Sequence, residues 1–449
     1  TSTQKLITMF NNIKNFVNNS FFMESIDNIS FGVLLCLLFS AIVCQSEFMG
    51  LIALGFSFLV IFKLIFSKNP KEKLKFKGYE KALFIYFLFV TVSLLGSTLF
   101  SLSLHGYIKT LIYILFFFSA SIYFKDNAKK IFPIILFTSC LMTYEAVVAI
   151  LQNMGGVVEI SGWQDTTNIN PEEVVSRAYG TLKPYNPNLL AGYLLCGLSS
   201  FIYLILKYLK ENKKRIALFF SITFLISLVA IVDTGCRGAY LGFCLFFPCL
   251  FFSLIYYVQK KFGGLSNIKK RYKNIFIGSF IALLGFVLFN PAISKRILSI
   301  FALRADSSIS FRFNVYQAAW NMFLDNPIFG IGVGNQNFRE IYGLYMKTGF
   351  DALGSYCIFL EIAVESGIFA LSAFIIFLIL LLKECFKISK KDSLDSNKIL
   401  AFSTMLMVLA IIGHGVFDTI WFRPQLQFLF WTNVAMLSAV KTNCLKVIK

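Results

Sequence analysis

Charge is what this chain has least of. Only 14% of its 449 residues are Asp, Glu, Lys or Arg, whereas 57% are hydrophobic. Soluble domains carry about a quarter charged residues, so this chain lacks the polar surface that several soluble domains would need. Paired cysteines are missing too. Ten Cys are present, but no CxxC pair and no Cys/His cluster, which argues against a disulfide framework or a metal site. No internal repeat is evident. Residues 1–28 are polar and Asn-rich, without an apolar signal core and cleavage site, so the first apolar stretch is expected to be a retained anchor.

Long apolar runs are abundant. Mean hydropathy is +0.72. A bilayer crossing takes about 17–25 apolar residues, and twelve such runs fall near 29–45, 48–66, 82–101, 107–124, 131–152, 189–206, 216–233, 239–258, 275–290, 355–382, 399–417 and 426–440. The net charge of +19 follows the same pattern. Most Lys and Arg lie in the N-terminus, in the loops 68–81, 125–130, 207–215, 259–274 and 383–398, and in the tail. With twelve spans these segments share one side, which the positive-inside rule makes cytoplasmic. The excess of basic charge therefore reads as an orientation signal rather than a nucleic-acid footprint.

The expected fold class is an all-α integral membrane protein with about 12 transmembrane helices and both termini cytoplasmic. Residues 1–28 form a polar N-terminus, 29–440 a single polytopic membrane domain and 441–449 a basic tail. The expected localisation is the cell membrane, inner or plasma, with multiple passes. Two outer loops are long, about 153–188 and 291–354. In the second, Val315, Ala318, Ala319, Met322 and Phe323 share one helical face, so Arg312–Leu324 is predicted to be an amphipathic helix. Asn326-Pro327 stops it, and it is expected to lie along the outer surface or cap a cavity.

Charged residues inside spans are costly and tend to face a cavity or a partner. Glu145, Asp233, Arg237, Glu361, Glu365, His414, Asp418 and Arg423 all fall toward the outer side. Lys63 alone sits toward the cytoplasmic end, where its stem can snorkel. Several of these have structural roles open to them. His414 and Asp418 are spaced for a helix-end hydrogen bond, Asp233 with Arg237 for pinning a turn, and Glu361 with Glu365 for pairing with Arg. The run Gly330-Ile331-Gly332-Val333-Gly334 looks like a phosphate cradle. It lacks the flanking strand and helix of a nucleotide fold, so a turn is the favoured interpretation. Alternating-access transporters commonly use a pair of broken half-helices, and none is visible in the sequence.

The outer motifs, taken together and in order, resemble the O-antigen ligase and polymerase superfamily. Arg177-Ala178-Tyr179-Gly180 followed by Asn186-Pro187-Asn188 and Ala191-Gly192 is similar to its Arg…Asn-Pro-Asn…Ala-Gly segment. Thr234-Gly235-Cys236-Arg237-Gly238-Ala239 is similar to its TxSRGA turn. Arg312…Trp320…Pro327 with the glycine run is similar to its outer loop, and Leu360-Glu361…Glu365-Ser366-Gly367 to its acidic helix. Residues 352–357 and 418–425 further resemble the cyanobacterial and plastid subgroup associated with bicarbonate transport.

The superfamily resemblance implies that Arg177, Arg237 and Arg312, with Asn188, bind the pyrophosphate of a lipid-linked sugar, a task suited to Arg forks. Asp233, Asp418 and Arg423 are supporting candidates. In the ligases a His before the acidic helix serves as general base. Here that position is Tyr356, whose phenol titrates near 10, far from the value that suits a base. Glu361, Glu365 and His414 are the other catalytic candidates. Three functions are expected from this: transfer or binding of a phosphate-bearing, polyprenyl-pyrophosphate-linked glycan; uptake of bicarbonate through the same Arg cluster; or non-catalytic glycan binding. Membrane lipid is the expected partner, with no cofactor, metal or nucleic acid.

Overall fold

The computed structural model describes residues 20–67, 70–76, 78–156, 177–262, 307–390 and 395–446. These residues are helical with no strand among them. The long helices are α1 (Phe21–Val43), α2 (Ser46–Phe66), α3 (Tyr79–Gly96), α4 (Phe100–Asp126), α5 (Ile131–Met154), α6 (Pro187–Lys210), α7 (Lys214–Asp233) and α8 (Arg237–Phe262). After these come α9 (Ser307–Asp325), α10 (Asn335–Tyr342), α11 (Ile358–Ser389), α12 (Ser396–Gly415) and α13 (Pro424–Lys446).

Ten of these helices are long and apolar enough to cross a membrane: α1 to α8, α11 and α12. The chain is a polytopic all-α membrane protein. The predicted twelfth span lies within α13. The predicted ninth span, 275–290, falls outside the described residues, as do 157–176 of the first long loop and 291–306 of the second.

Most of the spanning helices pack one side inward and turn apolar side chains outward. Phe39, Leu51, Phe58, Phe219, Leu225, Phe252, Ile376 and Ile379 are all exposed, which a bilayer tolerates and water does not. Two helices are central. From Pro187 to Leu204, α6 buries every side chain except Asn188, and it packs against α5, α7, α12 and α13. Helix α13 runs against α4 and carries buried Gln425, Gln427, Thr432, Asn433 and Ser438. These polar groups are largely satisfied at close range: Gln427 donates to Trp421 O at 2.7 Å, Thr432 to Phe428 O at 2.6 Å and Asn433 to Leu429 O at 2.9 Å.

Four expectations are corrected. First, α1 begins at Phe21, capped by the Ser20 hydroxyl on Met23 N at 3.3 Å. The helix thus takes in residues assigned to a polar N-terminus, because Asp27 has a partner. Second, that partner is Lys63, 2.6 Å away, so Lys63 is paired rather than only snorkelling. Lys73 and Asp126 join the same cluster at 2.6 Å.

Third, Lys63 is not alone among ionisable residues in the spans toward the end opposite the outer motifs. Glu80 is buried on α3, accepting from Ser438 Oγ at 2.7 Å. Fourth, the span read as continuous over 355–382 is broken. Within α11, Gly367 has φ 79° and ψ 178°, outside helical geometry.

Candidate functional site

The outer motifs meet at one end of the bundle, where α5, α7 and α12 finish and α6, α8 and α11 begin. Asn186 starts α6: its side chain accepts from Asn188 N at 2.8 Å and Leu189 N at 3.3 Å, and Pro187 occupies the first helical turn. This fixes the Asn188 side chain, which accepts from Arg177 Nη2 at 2.6 Å. Arg177 Nε donates to Thr234 O at 2.8 Å, and Ala178 N donates to Asp233 O at 3.1 Å. The guanidinium is held from two directions, by α6 and by the turn after α7.

The chain leading away from Arg177 is pinned by α5. Gln152 Oε1 accepts from Tyr179 N at 3.2 Å and Gly180 N at 2.8 Å, while its Nε2 donates to Gly180 O at 3.0 Å. Glu145, fully buried, accepts from Thr181 N at 3.0 Å and from the Thr181 hydroxyl. Gly180 sits at φ +65°, and a Cβ there would lie 2.3 Å from Glu145 Oε2. Only glycine fits that approach. The buried carboxyl of Glu145 therefore has a local purpose: it shapes the segment that presents Arg177.

His414 closes α12 and is 1% exposed. Its ring lies by Gly238 of α8, where a Cβ would sit 3.5 Å from the ring, and by Gly192 of α6, where one would sit 3.6 Å from Nε2. Its partner is Cys236, with Sγ 3.5 Å from Nε2. The expected hydrogen bond to Asp418 is not formed. Helix α12 ends at Gly415, so Asp418 is no longer one helical turn away, and it faces Arg312 instead. The thiol of Cys236 would be pushed up by burial alone, but His414 beside it more than offsets this and the net shift is downward.

Arg312 lies in α9 with Nη2 3.9 Å from Asp418 Oδ2 and its guanidinium 5.7 Å from the centre of the Tyr356 ring. Among the described residues, Asp418 Oδ2 has no hydrogen-bond partner, although Asp418 is only 5% exposed. Tyr356 adopts φ 55°, a strained conformation for a bulky residue. Its carbonyl accepts from the Tyr316 hydroxyl at 3.2 Å, and its ring meets Phe311 edge-on at 5.9 Å. Burial raises its phenol pKa, Asp418 adds to the rise and Arg312 opposes it. Tyr356 is thus a neighbour of the Arg312 cation and unsuited to taking a proton near neutral pH.

The two acidic residues of α11 have loop partners. Glu361 is fully buried and accepts from Ser355 N through Oε2, which fixes the loop bearing Tyr356. Its Oε1 has no hydrogen-bond partner among the described residues. Glu365 accepts from Gly334 N at 3.0 Å. Neither is seen paired with Arg.

The glycine run has a structural explanation in the break of α11. Carbonyls freed there accept from the run, Val364 O from Ile331 N at 2.9 Å and Glu365 O from Gly332 N at 3.0 Å. The other edge of the run is held by Ser97 Oγ on Ile331 O at 2.9 Å and Asn337 Nδ2 on Gly332 O at 2.8 Å. The run is a brace between α3, α4 and α11, in line with the turn expected from sequence.

The structure therefore brings Arg177, Asn188, Asp233, Cys236 and His414 into one group, and Arg312, Tyr356, Asp418 and Glu361 into a second. The charges of Arg177 and Asp418 both act on Cys236, which joins the two. Arg237 opens α8 directly after Cys236. Arg423 is exposed beyond the short turn Ile420–Phe422 and takes no part in the Arg312–Asp418 contact.

Sequence reasoning missed Cys236 and Gln152. Cys236 stood inside a quoted motif, at its Ser position, but nothing in one sequence ties it to His414, 178 residues away. Gln152 is uncharged and did not stand out among charged residues.

No curated protein matches this chain. Residues 222–375, from the middle of α7 to the middle of α11, match the family model described as O-antigen ligase, and this match supports an O-antigen ligase-like, multi-pass membrane protein.

Proposed function

We propose that this end of the bundle faces out of the cell and binds a lipid-linked glycan through its pyrophosphate, transferring the glycan to an acceptor hydroxyl. The observation that carries this is the presentation of Arg312 and Arg177 on rigid supports at one end of the bundle, one beside Asp418 and Tyr356, the other held by Asn188 and Thr234. Guanidinium forks suit phosphate oxygens geometrically. The matched O-antigen ligase segment supports the same substrate class.

In the transfer, the acceptor oxygen bonds to the anomeric carbon and loses its proton. The bond from that carbon to phosphate breaks, and the polyprenyl pyrophosphate leaves with the electron pair. Arg177 and Arg312 stabilise the charge that develops on the leaving phosphate. Tyr356 is a poor proton acceptor, so that role falls to Asp418, whose Oδ2 has no hydrogen bond to give up among the described residues. His414, enclosed and bonded to Cys236, supports the turn that carries Arg237.

The test is binding and turnover of a polyprenyl-pyrophosphate sugar by the purified protein. Arg177→Ala and Arg312→Ala should each weaken binding by roughly tenfold or more, the loss of a charged hydrogen bond of about 1.5–3 kcal/mol. Unchanged binding in both variants would refute the site. Tyr356→Phe should leave the pH–rate profile in place between about pH 6 and 9, since the phenol stays protonated there. Loss of a rate that rises with pH in the parent protein would make Tyr356 the proton acceptor after all.

A second reading, uptake of bicarbonate through the same Arg cluster, is favoured by one observation: α11 is broken at Gly367, and alternating-access transporters commonly build their sites on broken helices. Labelled bicarbonate flux into vesicles containing the purified protein decides between the two. Uptake that disappears in Arg312→Ala would replace the glycan reading.

A further inference from the structure

Helix α9 has an apolar inner face and an uncharged outer face on which large aromatic and aliphatic side chains stand beside two amides. The inner one buries Val315, Ala318, Ala319 and Met322 against Phe338, Tyr342 and Val364. The outer one exposes Phe313, Gln317, Trp320, Asn321 and Leu324, with Trp320 52% and Leu324 55% exposed. No charge lies on that outer face. The two charged side chains of the helix are engaged elsewhere, Arg312 with Asp418 and Asp325 as acceptor from the Tyr345 hydroxyl at 2.6 Å. A helix lying against protein and open to water ordinarily places charged residues on its open face.

The exposed strip does not stop at the end of α9. Ile328 and Phe329 continue it, each about half exposed. Phe329 abuts the end of α3, where a Cβ on Gly96 would lie 3.4 Å from it. Pro327 O accepts from Ile368 N of α11 at 2.8 Å. Directly beyond lie Leu95 of α3 and Phe369 of α11, 76% and 52% exposed, on the outward sides of two membrane-spanning helices. The apolar surface is thus continuous from the bilayer-facing belt up onto α9.

We infer that the outer face of α9 is seated in the interfacial layer of the bilayer on the site side, with Trp320 at headgroup depth and Leu324, Ile328 and Phe329 reaching the acyl boundary. Trp favours this layer, and an interfacial apolar face sinks about 5–10 Å into it. Continuity with the belt and the lack of charge fit a lipid partner. The helix then spans from lipid to site, with Trp320 in the membrane surface and Arg312, two turns earlier, against Asp418. The inference holds whichever substrate the site accepts.

The test uses the full chain in nanodiscs holding one copy each, made with phosphatidylcholine brominated either near the glycerol end or at mid-chain. The readout is the emission lost in Trp320→Phe, which isolates Trp320 from the buried Trp421 and Trp431 and from Trp163. Shallow bromines should quench this difference signal several times more strongly than aqueous iodide. Efficient iodide quenching with no effect of bromolipid would put the face in water and overturn the inference. Insensitivity to both, together with dimer formation outside nanodiscs, would make the occupant a second copy and overturn it as well. A nitroxide at Leu324→Cys gives an independent readout, with oxygen expected to reach it more readily than a polar nickel chelate.

Discussion

Cys236 and His414 show how the fate of one buried imidazole depends on a single neighbour. The ring nitrogen Nε2 meets Sγ at 3.5 Å, and both residues are at most 2% exposed, so neither can turn to water instead. Removing the thiol leaves a buried polar nitrogen unsatisfied, at a cost of about 1–3 kcal/mol. Cys236→Ala should therefore lower thermal stability measurably in detergent. Cys236→Ser keeps a donor and acceptor in place and should lose much less. Equal losses in the two variants would show that the sulfur matters for packing and not for the hydrogen bond. At this scale the sequence was informative about charge and uninformative about partnership. Arg177, Arg312 and Asp418 stood out because ionised groups are rare in apolar runs. That Arg312 meets Asp418, and His414 meets Cys236, depends on where α12 ends, and no local pattern marks that residue.

At the scale of elements, the apolar runs were legible because bilayer thickness sets their length. The predicted inward face of α9 is the buried one: Val315, Ala319 and Met322 are fully enclosed. The break in α11 was not legible, because Glu365-Ser366-Gly367 is flanked on both sides by apolar residues and hydropathy passes through it. The freed carbonyls at Val364 and Glu365 are satisfied by the glycine run, which is why irregular backbone is tolerated there. Gly367 is the hinge of this arrangement. A Cβ on it would lie 2.0 Å from Ile328 O, whereas Gly349, also at positive φ, has nothing within 4 Å. Both alanine variants incur backbone strain of about 1–3 kcal/mol, but only Gly367→Ala must also push the 326–330 turn aside. Gly367→Ala should be clearly the more destabilising of the two in thermal unfolding. Parity would mean that the turn gives way freely and that the brace is not rigid.

At the scale of the whole molecule, the two ends of the bundle differ in kind, and the difference predicts which way the protein sits. One end gathers Arg177, Arg312, Asp418 and His414 under α9 and α10. The other carries the basic residues Lys207, Lys210, Lys213, Lys214 and Arg215 around the α6–α7 turn, and the Asp27–Lys63 and Lys73–Asp126 pairs. Basic residues in short loops stay on the cytoplasmic side, so the Arg-rich end should face outward. This orientation follows from charge alone and is independent of the proposed chemistry. Two exposed lysines report on it: Lys347 between α10 and α11 at the site end, and Lys213 at the opposite end, with its side chain 56% exposed. In intact cells a membrane-impermeant maleimide should label Lys347→Cys above the parent chain, while Lys213→Cys should label only after permeabilisation. The reverse pattern would place the Arg cluster in the cytoplasm, where a donor carried in the outer leaflet could not reach it, and the transfer reaction proposed for this site would fail with it.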